Sequence, residues 1–411
     1  MTENKFEKSR KGRGVHKLLL ANGKIAEVIF STLLSISHRG RQTMNGKPPS
    51  HLRQLVERET AQNKFRMKDL KSLIRPNIQT LCRQFVDTEH AIDKDHIALD
   101  RCESPFNAPL NRKPYPDELS RLKTAVAIDK KITPEMIALS VGQTTPLDLI
   151  LRLFCSPQRD NIIIHEPSPL SFAKTAALND VECRHCRMNP HFDITAEHLL
   201  NSTNQRTKAI VLCSPNYPTG NLLNRKEIIA LAERFDGLVV IDETFIEFSR
   251  SESFARLIKR LPNIVVIGNF SAAFALGSLC LNYVVCSEEI AKYIEILAGY
   301  DSMPRIVAET AIEMFTKRRY DVDKWVKWIL DERDKVITAI KMLKLCKEIY
   351  PTSANFFMMR TENAPLLKKY LSEHGVNVTD CSRYPGCDNC LNITIGLTPQ
   401  NNTLLGALRR F

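Results

Sequence analysis

Three polar turns and two cysteine pairs carry the residue types from which chemistry is made. The turns are Cys213-Ser214-Pro215-Asn216-Tyr217-Pro218-Thr219-Gly220-Asn221, Asp242-Glu243-Thr244-Phe245 and the stretch Asn269 to Cys280, and each follows an apolar run. Cys183-Arg184-His185-Cys186 and Cys387-Asp388-Asn389-Cys390 have the local spacing of zinc ligands. They lie about two hundred residues apart with no further ligand cluster of recognised spacing, so ordinary reduced thiols are the better reading.

The elements that must position these turns alternate in type. Asn161–Ile164, Ala209–Leu212, Leu238–Ile241 and Ile264–Ile267 read as buried strands, and a further strand runs through Tyr283-Val284-Val285. Between them lie helical patterns such as 225–235, apolar at Ile228, Ile229, Leu231 and Ala232. That order implies an α/β protein with a mostly parallel sheet covered by helices, and ligands of such sheets bind at the carboxyl ends of the strands. Beyond Val285 a long helical stretch from Glu288 leads through Tyr300-Asp301-Ser302-Met303-Pro304 to a second helix over Val322–Leu343. A strand at Asn355–Met359, a helix over Ala364–His374, a strand over Leu391–Gly396 and a helix over Gln400–Arg409 complete a smaller α+β unit.

With 411 residues and 43% hydrophobic content, the chain is long enough for two domains with a substantial core. Its net charge of +12 is unevenly placed: residues 1–75 hold 17 Lys/Arg against 6 Asp/Glu, and the rest hold 41 against 40. The basicity belongs to the first 66 residues and their border, which read as a basic arm for an anionic surface, an unstructured tail, or sequence upstream of a true start at Met67. Lys24 and Glu27 interrupt the apolar runs there, against a membrane span. Twelve scattered cysteines and no cleavable secretory signal point to a reducing cytoplasm.

The stretch Asn269-Phe270-Ser271-Ala272-Ala273-Phe274 resembles the lysine loop of aminotransferases with the type I pyridoxal-phosphate (PLP) fold. Ala272 stands where that loop has its Schiff-base lysine, and Cys280 where it has a phosphate-gripping arginine. From Arg75 to Phe411 the chain resembles histidinol-phosphate aminotransferases, enzymes of histidine biosynthesis. Leu99-Asp100-Arg101-Cys102-Glu103-Ser104-Pro105-Phe106-Asn107 matches their substrate-side segment, with Cys102 in place of an asparagine. Tyr115-Pro116-Asp117 matches the tyrosine that reaches the neighbouring subunit's cofactor phosphate, and Pro116 and Asp117 equally form a plain helix start. The resemblance therefore implies a homodimer.

It also assigns the cofactor's remaining partners. Gly142, Gln143 and Thr144 occupy the phosphate loop ahead of a helix N-terminus, where free N–H groups favour an anion, and Ser271 is a retained phosphate contact. Pro169 replaces the ring-stacking tyrosine. Tyr217 replaces the asparagine that contacts the pyridine hydroxyl, and Phe245 its tyrosine partner. Asp242 is retained, either opposite the pyridine nitrogen or as a cap on a neighbouring turn. Asn392 stands at the arginine that binds the substrate carboxylate, and Thr379 at the second basic position, with Arg383 nearby.

These replacements lie far apart in sequence yet converge on one pocket in the family fold, while the turn glycines and element patterns persist. The expectation is an aminotransferase-like pseudoenzyme kept for dimerisation, partner binding or another ligand. The alternatives are a working transaminase that passes an amino group between glutamate and imidazole-acetol phosphate, and a nucleic-acid or surface binder using the basic arm. The expected organisation is an extension over 1–66, a segment over 67–110 joining the small domain, a large α/β domain over 111–295 and a small α+β domain over 296–411.

Overall fold

The structure, a computed structural model, describes residues 69–85, 116–141, 146–299 and 303–411. The chain divides into two units, residues 1–67 and 68–411, and every described residue belongs to the second.

A seven-stranded sheet organises this unit. Its strands are β1 (Ile137–Val141), β2 (Asn161–Glu166), β3 (Glu182–Arg187), β4 (Thr207–Cys213), β5 (Leu238–Asp242), β6 (Ile264–Asn269) and β7 (Leu281–Val285), in the order β1-β7-β6-β5-β4-β2-β3. The pairs from β3 through β6 are parallel, and β7 runs antiparallel between β1 and β6. Successive residues of a central strand enter opposite cores: Val239 and Ile241 join one, Leu238 and Val240 the other. Burial on both faces is why these strands read as unbroken apolar runs. The fold expectation holds: a mostly parallel sheet with helices, joined by a smaller antiparallel one.

The helices before and around the sheet are α1 (Leu70–Leu73), α2 (Pro76–Phe85), α3 (Pro116–Lys130), α4 (Pro146–Phe154), α5 (Leu170–Leu178), α6 (Ala196–Asn201), α7 (Arg225–Arg234) and α8 (Glu288–Ala298). Pro116 and Pro146 each open a helix, where a missing N–H costs nothing. Asn224 and Ser287 cap α7 and α8 through side-chain oxygens.

Two expectations need correction. Leu70, Ile74 and Ile78 pack into the core of the large sheet, beside Ile150, Ile162 and Ile294, and Arg75 donates its backbone N–H to Leu153. The described part of 67–110 therefore sits on the large sheet and not on the small one. Between Glu288 and the long helix there is also an additional element, α9 (Arg305–Thr316), preceded by Pro304 and followed by α10 (Arg319–Lys341). Pro304 starts α9 and Lys317-Arg318 separate it from α10, which begins earlier than Val322.

The second sheet has the order β10-β11-β9-β8, with β8 (Glu348–Ile349), β9 (Phe356–Arg360), β10 (Thr379–Asp380) and β11 (Cys390–Thr394) antiparallel throughout. The helices α11 (Ala364–Glu373), α12 (Thr398–Arg410) and the end of α10 close its core around Phe357, Leu367, Leu391 and Leu408. No helix among the described residues is long and apolar enough to cross a membrane.

Candidate active site

The carboxyl ends of β4, β5 and β6 bring the three polar turns together. Asp242 ends β5 beside Cys213 of β4, and its carboxylate Oδ1 accepts from the backbone N–H (2.9 Å) and hydroxyl (2.6 Å) of Thr244. Asn269, at the end of β6, donates to Thr244 Oγ1 (3.1 Å) and accepts from the N–H of Ser271 (2.9 Å). One hydrogen-bonded chain thus joins Asp242, Thr244, Asn269 and Ser271. Burial raises the Asp242 carboxyl above its ordinary value, and the two Thr244 bonds oppose the rise. Of the two roles open to Asp242, the turn-capping geometry is the one these bonds make.

Ser271 and Ala272 are half-buried, and Ala272 packs against the large core that holds Phe270 and Phe274. Residues 269–283 contain neither lysine nor arginine. Cys280 adopts the left-handed conformation at φ 47°, with its thiol 3.9 Å from the Gly277 carbonyl. Pro169 stands immediately before α5 and accepts the Phe172 N–H. Tyr115, Gly142, Gln143, Thr144 and Cys102 lie outside the described residues.

The Cys213–Asn221 turn keeps its recognisable sequence because nearly every polar member holds the chain in place. Asn216 donates to the Pro167 carbonyl (2.9 Å) and to Thr219 (2.8 Å), and Thr219 donates to Asn221 (2.5 Å). Gly220, at φ 82°, lies so close to Thr352 that a Cβ would fall 2.3 Å from its hydroxyl, so glycine is required on two counts.

The small sheet meets this turn at two neighbouring positions. Thr379 and Asn392 face each other across β10 and β11. Asn392 is buried and donates its amide to the Pro218 carbonyl at 2.9 Å, and the Thr379 side chain lies beside the Tyr217 hydroxyl. Tyr217 also meets Phe356 (5.5 Å) and Tyr384 (6.2 Å) edge to face, and Phe245 meets Phe356 at 5.0 Å. Arg383 lies over the Tyr384 ring. Removing the amide with Asn392→Ala leaves a buried carbonyl without its donor, so unfolding free energy should fall by about 1–3 kcal/mol, read from chemical denaturation.

Sequence reasoning missed His165, at the end of β2. It is fully buried, and its Nε2 accepts the Cys213 N–H at 3.0 Å. The only signal was a histidine closing the apolar run Ile162-Ile163-Ile164. Burial lowers its pKa from 6.5 to about 4, so the folded state keeps the ring neutral. A depressed histidine pKa contributes stability that is present above pH 6.5 and lost as pH falls through about 4. Burial has the opposite consequence for Glu243, whose carboxyl is raised from 4.5 to about 7 and whose contribution fades as pH rises. The two slopes offset each other in the native chain. The stability gap between the native chain and His165→Asn should therefore widen by about 3 kcal/mol from pH 4 to pH 6.5, as urea midpoints at several pH values would show.

The fold and the turns at its strand ends define a class. The class I and II aminotransferase family profile matches residues 109–407, and the chain belongs to that family. Within the class it is histidinol-phosphate-aminotransferase-like. It is 35% identical over 347 residues to the histidinol-phosphate aminotransferase of Bacteroides thetaiotaomicron, covering 84% of this chain and 99% of that one. It is 31% identical over 343 residues to that of Flavobacterium psychrophilum, covering 83% and 98%. Among solved structures, the histidinol-phosphate aminotransferase of Clostridium acetobutylicum superposes with a TM-score of 0.67 at 22% identity, over 73% of this chain and 90% of that one. The Sinorhizobium meliloti enzyme, solved in complex with pyridoxal-5'-phosphate, gives 0.64 at 18%, over 82% and 87%. At such identities these two support the fold alone.

Members of this family depend on PLP. The cofactor needs an amine for its covalent tether, cationic and N–H donors for its phosphate, a face for its ring and an anion opposite the ring nitrogen. The described residues do not fit it. At the positions the family resemblance assigns to these needs, Asp242 keeps a carboxylate and Ser271 a hydroxyl, but Ala272 has no amine, Cys280 has no charge and Phe245 has no hydroxyl. Tyr217 is held by the small sheet.

Proposed function

We propose that this chain is a histidinol-phosphate-aminotransferase-like pseudoenzyme, a cytoplasmic homodimer retained for binding and not for transamination. One observation carries the reading. Asn392 and Thr379, which the family resemblance assigns to the substrate's acid group, are turned onto Pro218 and Tyr217 of the large domain. The end of the cleft that would receive an amino acid is occupied by contacts of the protein with itself. The loss of the lysine at 272 is of a piece with this, since general acid–base assistance is worth ~10²–10⁴ in rate before covalent catalysis is counted.

The test is turnover of purified protein with glutamate, imidazole-acetol phosphate and added PLP, beside an active relative. No turnover above the protein-free background is expected. Sustained turnover that scales with protein concentration would refute the proposal and favour a working site with an unrecognised base.

A further inference from the structure

Asp242 and Glu243 turn opposite ways at the end of β5. The Asp242 carboxylate serves Thr244, whereas that of Glu243 accepts from Ser253 Oγ (2.5 Å) and the Phe254 N–H (2.6 Å). On the Ser253 side lies a cavity of about 230 Å³, bounded by the end of α3, the segment from Ile246 to Ser253 and the start of α10.

Its floor is an ion-pair cluster with no net charge. Lys130, nine-tenths buried, pairs with Glu247 and with Asp129 (3.3 Å), and Arg319 reaches Asp129 (3.0 Å) and Glu247 (3.6 Å). Burial disfavours the Lys130 ammonium, but Tyr283, Glu247 and Asp129 more than compensate and raise its pKa above the ordinary value. The carboxylates of the floor are therefore already engaged.

The mouth differs. Arg256 pairs with Glu252 (2.5 Å), and the exposed Arg250 has no ion pair among the described residues. Ser249 and Ser253 direct their hydroxyls to Ile246 and Glu243, while that of Ser251 has no partner among the described residues. Arg319 is the first residue of α10, a helix of 23 residues whose start has no side-chain cap, so its first N–H groups lack intrahelical acceptors. The cavity lining carries four cationic side chains against three anionic ones, and its uncommitted groups are donors.

We infer that this cavity, separate from the aminotransferase-type cleft, binds a phosphate group, either free or as a phosphate monoester, with Arg250 as its principal partner and Ser251 as a second donor. A guanidinium offers the paired donors that suit a phosphate, and the floor cluster prevents an entering anion from meeting unpaired carboxylates.

The experiment titrates the full chain with inorganic phosphate by calorimetry at ionic strength fixed with sodium chloride, and repeats it with glycerol 3-phosphate to separate the two sources. Saturable binding of one or both is expected. Arg250→Ala should weaken it ~10-fold or more, since a hydrogen bond to a charged group is removed. Glu252→Gln, which frees Arg256 from its ion pair, should tighten it ~2–5-fold. Both positions are exposed, so neither variant should disturb folding. Ser271→Ala should leave binding unchanged. Absence of saturable binding, equal binding by Arg250→Ala, or loss confined to Ser271→Ala would each overturn the inference.

Discussion

Ala272→Lys alone should not restore transamination. The substitution returns an amine to the loop after β6, but the groups that would orient a cofactor against it stay absent. Cys280 has none of the bidentate, charged hydrogen bonding of the arginine that the family resemblance puts there, and one such contact is commonly worth ~10² in affinity. Asn392 likewise supplies a neutral amide, which donates to Pro218 and so is not free for a carboxylate. With each loss worth ~10², the remaining deficit is on the order of 10⁴ even before Phe245 and Tyr217 are considered, although such effects are not additive. A coupled glutamate assay with excess PLP should leave Ala272→Lys at background. Measurable activity should require Ala272→Lys together with Cys280→Arg, Tyr217→Asn and Asn392→Arg. Recovery by the lysine alone would mean that the pocket had suffered a single lesion and had otherwise kept its catalytic competence.

The scaffold beneath that loop should be costly to disturb. Phe270, two residues before Ala272, is fully buried and meets Phe274 (5.6 Å), Tyr283 (5.3 Å) and Phe315 (5.5 Å). Gly268 makes room for this cluster, because a Cβ there would fall 2.1 Å from the Tyr283 ring. Phe270→Ala removes a large apolar surface and leaves a cavity that rigid strand ends cannot close, so unfolding free energy should fall by about 3–5 kcal/mol. Equilibrium denaturation reads the loss. A cost below about 1 kcal/mol would show that the loop is no longer part of a packed core, against the idea that the fold is kept while its chemistry is relaxed.

The sheet was legible because its central strands are buried on both faces, which leaves runs such as Val239-Val240-Ile241 without polar interruption. The turns were legible for a related reason: Gly220 and Asn216 satisfy backbone geometry and hydrogen bonds that the fold cannot do without. Much of the site was not legible. Nothing in the string predicts that Asn392 meets Pro218, 174 residues away, or that Thr379 meets Tyr217, since both contacts depend on how the two sheets meet. His165 was invisible because a histidine in an apolar strand gives no sign of which backbone group it accepts. The helix α9 was hidden because Pro304 could as well continue a loop as open a helix.

The proposal that this chain keeps a PLP-type fold without a PLP-tethering site meets its most direct test in borohydride trapping. The purified chain would be incubated with excess PLP, reduced, and mapped by peptide mass spectrometry beside an active relative. No lysine of the cleft should be stoichiometrically modified in this chain, and a single modified lysine is expected in the relative. One stoichiometric adduct on a lysine of this chain's cleft, formed at low cofactor concentration, would contradict the loss of the tether.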